Sequence, residues 1–167
     1  AGQASTRIKP AISGPNPCSG ASLCPGASNV FLIQSHGVTL QDLTIDGDNP
    51  NLTSGIVRNG ADIDARNGII TNHSAGTWNN LTVSNVTVKN IYLRGIYTSS
   101  GGSFTINGNT VSNVNGEASS IGIFNWIGTG TISNNTVFDC NDAIAANHSR
   151  GTNFTGNSVS NSGTGIH

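Results

Sequence analysis

The chain has 167 residues, which is enough for one domain with a buried core, and its formal net charge at pH 7 is -1. Only 9% of the residues are charged, against roughly 25% in ordinary soluble domains, so Asn, Ser, Thr and Gly must supply most of the polar surface. The seven Lys and Arg residues are too few and too scattered to neutralise a row of phosphates, which argues against nucleic acid as a partner. No apolar run of about 18 residues occurs, so no membrane insertion is expected.

Residues 1–29 form a predicted loop region and first coil, rich in proline, glycine and serine, with two closely spaced cysteines. Cys18 and Cys24 stand in the segment PNPCSGASLCPG, where an exposed pair favours a local disulfide and an oxidising compartment. Two free thiols are the alternative, while a metal site is disfavoured because no His or further Cys stands nearby. We therefore expect a protein that is secreted or on the cell surface, with the periplasm as the alternative location.

A ten-residue rhythm recurs along the chain, in which two short apolar and threonine triplets are each closed by a polar pair. It is clearest in LTVSNVTVKN at 81 and returns as VTLQDLTIDG at 38, FTINGNTVSN at 104, GTISNNTVFD at 130 and TNFTGNSVSN at 152. The aligned apolar positions are Leu40, Val83, Ile106, Ile132 and Phe154 in one column and Ile45, Val88, Val111, Val137 and Val159 in another. Such repeats cannot bury their own apolar face and must stack on their neighbours.

Each repeat ends with a residue type that tolerates the left-handed backbone of a sharp corner. The corner positions are Gly47, Asn90, Asn113, Asp139 and Asn161. A second apolar signature supplies a third strand, in NGII at 67, RGIY at 94, IGIF at 121, DAIA at 142 and TGIH at 163. The sequence predicts an all-β fold, a single-stranded parallel β-helix or solenoid over residues 1–167. It should have about six or seven coils of roughly 22–26 residues and three short strands per coil.

The spacing of the repeats is uneven at the start. Ile45 and Val88 are 43 residues apart (88 − 45), which we interpret as close to two periods. The chain opens and stops on strand-like sequence, and we expect it to be a segment of a longer solenoid.

Several polar residues occupy positions where sister repeats carry inward-facing apolar ones. Three asparagines align with Leu43 and Val86, namely Asn109, Asn135 and Asn157. Buried amides need hydrogen-bond partners, so we expect an internal asparagine ladder; the alternative is a shifted strand that turns them to solvent. Cys140 also aligns with apolar residues and is interpreted as a small buried hydrophobe.

On the repeats at 81–90, 104–113 and 130–139, the chain resembles the right-handed parallel β-helix proteins of the pectate-lyase-like superfamily. Within that superfamily it is most similar to the NosD-like and extracellular β-helix repeat group. The resemblance covers the whole chain and implies a right-handed helix. It rests on fold motifs, which say little about chemistry, and the Asp-Pro-His-Glu motif of the epimerases in this superfamily is absent.

The repeat is interrupted by one large loop insertion, at residues 46–66, where charged side chains are concentrated. Asp46 and Asp48 are alternate residues of an extended segment and can offer two carboxylates to a calcium ion. The structural alternative is that Asp46 and Asp48 cap a turn before Pro50.

The second half of the insertion carries the candidate catalytic residues Asp62, Asp64 and Arg66. Paired carboxylates about 5 to 9 Å apart can serve acid and base in glycoside hydrolysis, and an arginine beside them suits a polysaccharide lyase. Arg58 is the candidate substrate-binding cation of this segment. The structural alternative is that Arg58 and Arg66 pair with the two aspartates on the loop surface.

Aromatic residues are few, and Trp126 beside Phe124 is the best candidate platform for stacking a sugar, with core packing as the alternative. Three functions therefore stay open. The first is an extracellular surface or adhesive module that binds a polysaccharide or surface glycan without catalysis in this segment. The second is a carbohydrate-active enzyme, a lyase or hydrolase, with its site at 46–66. The third is a structural subunit that self-associates through its solenoid ends into a fibre.

Overall fold

The computed structural model describes residues 5–167, so the first four residues of the predicted 1–29 region lie outside the described residues. Within that range the chain forms strands, turns and bends, and it contains no helix. The strands are β1 (Arg7–Ile8), β2 (Asn29–Ile33), β3 (Thr39–Gln41), β4 (Thr44–Asp46), β5 (Val57–Arg58), β6 (Ala61–Asp62), β7 (Ala65–Thr71), β8 (Leu81–Ser84), β9 (Thr87–Thr98), β10 (Ser103–Asn107), β11 (Thr110–Val114), β12 (Ile121–Trp126), β13 (Thr129–Ser133), β14 (Thr136–Cys140), β15 (Asp142–Asn147), β16 (Gly151–Thr155), β17 (Ser158–Ser160) and β18 (Thr164–Ile166).

Two parallel sheets contain nearly all of these strands. The larger has 11 strands and runs β17-β14-β11-β9-β12-β15-β18; β4 and β7 also pair with β9, β1 pairs with β4, and β2 pairs with β7. The smaller has five strands in the order β16-β13-β10-β8-β3. The short strands β5 and β6 form an antiparallel hairpin inside the insertion. The predicted all-β fold with parallel strands is therefore confirmed.

The strand registers follow the columns of the sequence repeat. In the smaller sheet, Val83 lies opposite Leu40 on one side and Ile106 on the other. In the larger sheet, Val88 lies between Ile45 and Val111 in the same manner. The apolar members of both columns point into one common core, as strand alternation requires, except Phe154, which is exposed. The predicted alignment is confirmed residue by residue.

The interpretation of the first long spacing is wrong. Ile45 pairs directly with Val88, and a hydrogen bond from Asn85 to Asp42 spans the same 43 positions. The part of the chain that leads from β4 to its paired neighbour β9 therefore contains the whole insertion. The extra residues do not form another parallel layer because part of them pairs with itself in the β5-β6 hairpin.

The third apolar signature also forms strands in the predicted register, but one of its strands is longer than expected. Ile96 lies opposite Ile69 and Ile123, which places the signatures at 67, 94 and 121 side by side. In this repeat the second and third predicted strands are one continuous strand, β9, of 12 residues. A loop at 115–120 separates the equivalent strands β11 and β12. β9 therefore joins strands that would otherwise belong to two sheets.

A column of glycines in this signature allows the backbone of successive layers to approach closely. A Cβ atom on Gly95 would lie 2.4 Å from the carbonyl oxygen of Gly122 and 2.9 Å from Cγ1 of Val111. Gly68 faces the same obstruction from Gly95 and from the valine column. The glycine of the signature is thus required by packing.

The predicted internal asparagine ladder is confirmed for Asn109 and Asn135, and Asn157 extends it at a half-buried position. Nδ2 of Asn109 donates to Oδ1 of Asn135 at 2.9 Å, and Nδ2 of Asn135 donates to Oδ1 of Asn157 at 2.9 Å. Each amide also bonds the backbone, since Asn135 donates to the carbonyl of Ile106 and accepts from the backbone N–H of Asn109. Asn109 and Asn135 are each 1% exposed, whereas Asn157 is half-buried. These bonds satisfy amides that would otherwise be costly to bury.

The corner residues form a second amide ladder outside the core. Asn90 and Asn113 have φ values of 58° and 53°, as predicted for the left-handed conformation. Asn113 donates to Oδ1 of Asn90 at 2.8 Å, and Asn90 donates to Oδ1 of Asp46 at 2.7 Å. Gly47 differs, because it is not among the left-handed residues and its missing side chain instead makes room for the Asn90 carbonyl.

Cys140 is a buried core residue, as expected. Its side chain is 4% exposed and lies opposite Val114 in the sheet register. Burial raises the pKa of the thiol to about 12, so it is protonated at neutral pH.

Replacing Asn135 by Ala should lower the free energy of unfolding by about 3 kcal/mol, because the change leaves the N–H of Asn109 and the carbonyl of Ile106 buried without partners. Chemical denaturation monitored by circular dichroism measures the loss. Asn153→Ala, at an exposed position of β16, is the matched control and should change stability little. Equal midpoints for the two variants would contradict the ladder.

Gly95→Ala should cost about 2 to 3 kcal/mol, because the added methyl group overlaps the Gly122 carbonyl and the core cannot shift to make room. Gly165→Ala is the control, since a Cβ there meets no atom within 4 Å and its φ is not left-handed. Thermal unfolding compares the two proteins, and a Gly95→Ala variant as stable as Gly165→Ala would refute the packing argument.

Candidate functional site

A cleft of about 460 Å³ lies along the outer side of the third-strand column. Strands β9, β12 and β15 form its floor, and the loop before β12 contributes Ser119. Gly20 and Ser22, from the loop that carries the disulfide, form one wall. The cleft thus collects residues from three stacked layers and from a distant loop.

The floor of the cleft is aromatic. Tyr97 and Phe124 lie opposite each other on β9 and β12, with ring centroids 4.8 Å apart and planes inclined by 16°. Both point outward because the neighbouring isoleucines of their strands point into the core. The ring of Trp126 meets that of Phe124 edge-on, with centroids 6.3 Å apart, and the ring centroids of Trp126 and His148 are 4.4 Å apart. Phe124 is only 5% exposed and also packs as a core residue, whereas Trp126 is half-buried and offers more surface.

A buried arginine stands beside this aromatic floor. Arg94 is 7% exposed, and its guanidinium carbon lies 4.9 Å from the ring centroid of Phe124 and 5.8 Å from that of Tyr97. Nε donates to Oγ of Ser22 at 3.2 Å, and Nη1 donates to the carbonyl of Ser119. Burial lowers the pKa of Arg94 to about 10, so the group is still a cation at neutral pH.

Polar side chains from β15 complete the cleft. Asp142 shares a register column with Arg94, and Ile121 lies between them on β12. Oδ2 of Asp142 is 3.8 Å from Nε2 of His167, and Asn147 lies opposite Trp126 in the register. The cleft therefore has an apolar aromatic floor. Its cation, Arg94, lies on β9 and its anion, Asp142, lies on β15, with strand β12 between them.

The wall formed by residues 18–24 is held in place by the disulfide and by a second arginine. Cys18 and Cys24 are joined, with an S–S distance of 2.12 Å, so the predicted disulfide is confirmed. Arg66 is fully buried and donates to the carbonyl of Pro15 at 2.9 Å and to that of Ala21 at 3.1 Å. Its guanidinium fixes the loop that borders the cleft.

The predicted catalytic residues of the insertion have separate partners. Asp62 accepts hydrogen bonds from Ser54, and Arg66 is directed at the disulfide loop. Asp64 is fully buried; its Oδ2 accepts the backbone N–H of Asn49 at 3.0 Å, and its Oδ1 has no partner among the described residues. Among residues 5–167 no ion pair joins Asp62, Asp64 or Arg66 to one another. The expected surface pairing is wrong for Asp64 and Arg66, because neither side chain is at the surface.

Arg58 lies on the β5-β6 hairpin and is exposed. Its guanidinium donates to the carbonyls of Asn115 and Gly116 at 3.3 and 3.1 Å, which fastens the hairpin to the loop at 115–120. Arg58 does not line the cleft, so the structure separates it from Trp126 and Phe124.

Asp46 is a buried carboxylate with two lysine neighbours. Nζ of Lys89 lies 3.1 Å and Nζ of Lys9 4.0 Å from its Oδ2. Burial alone would raise the pKa of Asp46, but hydrogen bonds from Asn90, Lys89 and the backbone of Asp48 outweigh it and hold the pKa below its usual value. The bond from the Asp48 N–H agrees with the predicted turn-capping role.

Calcium at Asp46 and Asp48 stays a prediction. Among the residues that the structure describes, no group of three or more Asp, Glu, His or Cys side chains is placed to hold a metal ion. The carbonyl of Asp48 accepts a hydrogen bond from Lys9, and the carboxylate of Asp46 accepts one from Asn90. Any ion would therefore have to replace contacts that are already made.

Sequence reasoning named Trp126 and Phe124 but did not place Arg94, Tyr97 or Asp142 beside them. The signal was present in the third-strand signatures, where RGIY and IGIF put aromatic residues at the same position of successive repeats. A recurrent outward aromatic in a parallel stack predicts ring stacking between layers. No sequence pattern indicated that the disulfide loop would line the cleft.

Comparisons with models of protein families, with curated proteins and with solved structures gave no match for this chain. Within residues 5–167, no helix has the length and hydropathy to cross a membrane.

Arg66→Met should destabilise the protein by about 3 kcal/mol, because the carbonyls of Pro15 and Ala21 lose their donors while the buried volume is kept. Hydrogen exchange by mass spectrometry should show faster exchange in residues 15–24 than in the wild type. Arg58→Met, at an exposed site, should leave that loop unchanged. Unaltered exchange at 15–24 in Arg66→Met would show that the arginine does not anchor the loop.

Proposed function

We propose that the chain is a single-stranded, right-handed parallel β-helix of the pectate-lyase-like type, acting as an extracellular surface or adhesive module that binds a glycan in the cleft. The fold proposal is supported by two six-membered columns in register. They are Ile8, Ile45, Val88, Val111, Val137 and Val159 in one, and Phe31, Ile69, Ile96, Ile123, Ile144 and Ile166 in the other. Each time the chain returns to the same column with a parallel strand, it completes one coil.

The spacing of ladder bonds agrees with coils of the expected length. The backbone N–H of Val86 donates to Asn109 23 positions later, and the side-chain bonds from Asn109 to Asn135 and from Asn135 to Asn157 span 26 and 22 positions. The number of column members agrees with the lower end of the six or seven coils expected from the sequence. The longer first step contains the insertion at 46–66.

The observation that carries the glycan proposal is the aromatic floor of the cleft with hydrogen-bonding groups at its edge. A pyranose ring has an apolar face of C–H groups and a rim of hydroxyls, so it needs a flat apolar surface beside polar partners. Trp126 and the stacked pair of Tyr97 and Phe124 provide the first. Arg94 and Asp142 provide the second, as donor and acceptor.

The other two hypotheses have less support. Asp62, Asp64 and Arg66 each form hydrogen bonds that hold a loop or hairpin in place, and among the described residues no hydrogen bond or ion pair joins them to one another. Assembly into a fibre has no observation of its own in its favour. A glycan-binding role without catalysis in this segment is therefore the proposal.

A location outside the cytoplasm agrees with this function. The Cys18–Cys24 disulfide is compatible with an oxidising compartment, where such bonds persist. We propose that the protein is secreted or displayed at the cell surface, where polysaccharides are accessible.

Trp126→Ala should reduce binding to the best ligand on a glycan array by about tenfold or more, because the sugar loses its most exposed stacking partner. Calorimetry with that ligand gives the affinity, and circular dichroism checks that the variant is folded. Trp78→Phe is the control, since Trp78 lies outside the cleft against His36. Absence of binding to every glycan by the wild type, or equal affinities for wild type and Trp126→Ala, would overturn the proposal.

A further inference from the structure

Arg94 is a buried cation that forms no ion pair among the described residues, although the carboxylates of Glu117 and Asp142 act on it from beyond ion-pair distance. The ion pairs among the described residues are Lys9–Asp46, Lys89–Asp46 and His167–Asp142, and Arg94 belongs to none of them. Its hydrogen bonds go to a neutral hydroxyl and a neutral carbonyl, on Ser22 and Ser119. A buried charge without an opposite charge is unfavourable, so a partner from outside the chain would be stabilising.

The guanidinium still has donors for such a partner. A guanidinium presents several N–H groups in a planar fork that matches a carboxylate or sulfate, and the two protein bonds use only part of it. Arg94 lines the cleft directly, and the rings of Tyr97 and Phe124 hold its plane in position. The fork is therefore pre-organised at the edge of the aromatic floor.

The carboxylates nearby act on Arg94 electrostatically but do not contact its guanidinium. Glu117 accepts hydrogen bonds from the hydroxyls of Ser119 and Tyr92 at 2.6 and 3.4 Å. Asp142 also lines the cleft, but it lies beyond Ile121 in the register column and close to His167. The Arg94 end of the cleft consequently favours an anion, while the Asp142 end favours hydroxyl or cationic groups.

We propose that the cleft selects glycans with an anionic substituent, a carboxylate or a sulfate, and that Arg94 binds this group while the sugar ring stacks on the aromatic floor. This inference rests on the proposed glycan-binding function for its ligand, but Arg94 can be tested as an anion site alone. The shared chemistry is a planar or tetrahedral oxyanion, and separate probes distinguish the two forms.

The experiment compares matched sugars at constant ionic strength. Methyl glucoside, methyl glucuronoside and glucose 6-sulfate are titrated into the protein while the indole N–H signal of Trp126 is followed by NMR. The wild type should bind at least one of the two anionic sugars about tenfold more tightly than the neutral one. Arg94→Gln should bind the neutral and the anionic sugars with about equal affinity, whereas Arg7→Gln, which removes an exposed charge on β1, should keep the preference for the anionic sugar.

Each result has a distinct meaning. A wild type that binds neutral and anionic sugars equally overturns the anion inference and leaves the glycan proposal intact. If no sugar binds, the glycan proposal fails, and sodium sulfate against sodium chloride at equal ionic strength tests Arg94 by itself. Sulfate stabilises folded proteins in general, so it should raise the melting temperature of the wild type more than that of Arg94→Gln; equal rises in the two proteins would overturn the anion site.

A second variant covers the case in which Arg94→Gln does not fold. Arg94→Lys keeps the positive charge near the rings but replaces the planar fork by a single ammonium group. It should fold and bind the anionic sugars more weakly than the wild type, while still preferring them to methyl glucoside. An Arg94→Lys protein without any preference, from a wild type that has one, would mean that the arginine only holds the cleft wall.

Discussion

Parallel pairing in register is the constraint on which the rest of this structure depends. In the core columns each residue has its sequence equivalent as its neighbour on the next strand, so most of these positions carry a side chain that packs or bonds well with its own kind. Valine and isoleucine meet this condition by packing, and asparagine meets it because an amide is both donor and acceptor. Glycine meets it where the backbones approach closely, as at Gly95.

The same constraint explains how much could be predicted. The columns through Val83 and Val88 follow from local alternation, and the internal ladder follows from asking what a buried Asn109 would bond. The continuous strand β9 and the direct pairing of Ile45 with Val88 depend on how loops fold, for which the repeat carries no information. The cleft depends on contacts such as Ser22 with Arg94, which are 72 positions apart.

The insertion at 46–66 shows that clustered charges can have a structural role. In a chain with few charges, a concentration of Asp and Arg suggests chemistry, yet here the charges hold the insertion to the body of the protein. Asp46 is paired with Lys89 from the next layer, Arg58 fastens the hairpin, and Arg66 reaches back to the disulfide loop. Arg66 and Arg94 both lack an ion pair among the described residues, but Arg94 lines the cleft and Arg66 does not.

The burial of Cys140 has a consequence for how the disulfide forms. Thiol exchange requires a thiolate that can reach the other sulfur, and a core thiol with a pKa near 12 is neither ionised nor accessible. Once the apolar columns have assembled, Cys18 and Cys24 are the pair that can oxidise. In the unfolded chain all three cysteines compete, so assembly of the core before oxidation directs the chain to the correct pairing and removes the need for later isomerisation.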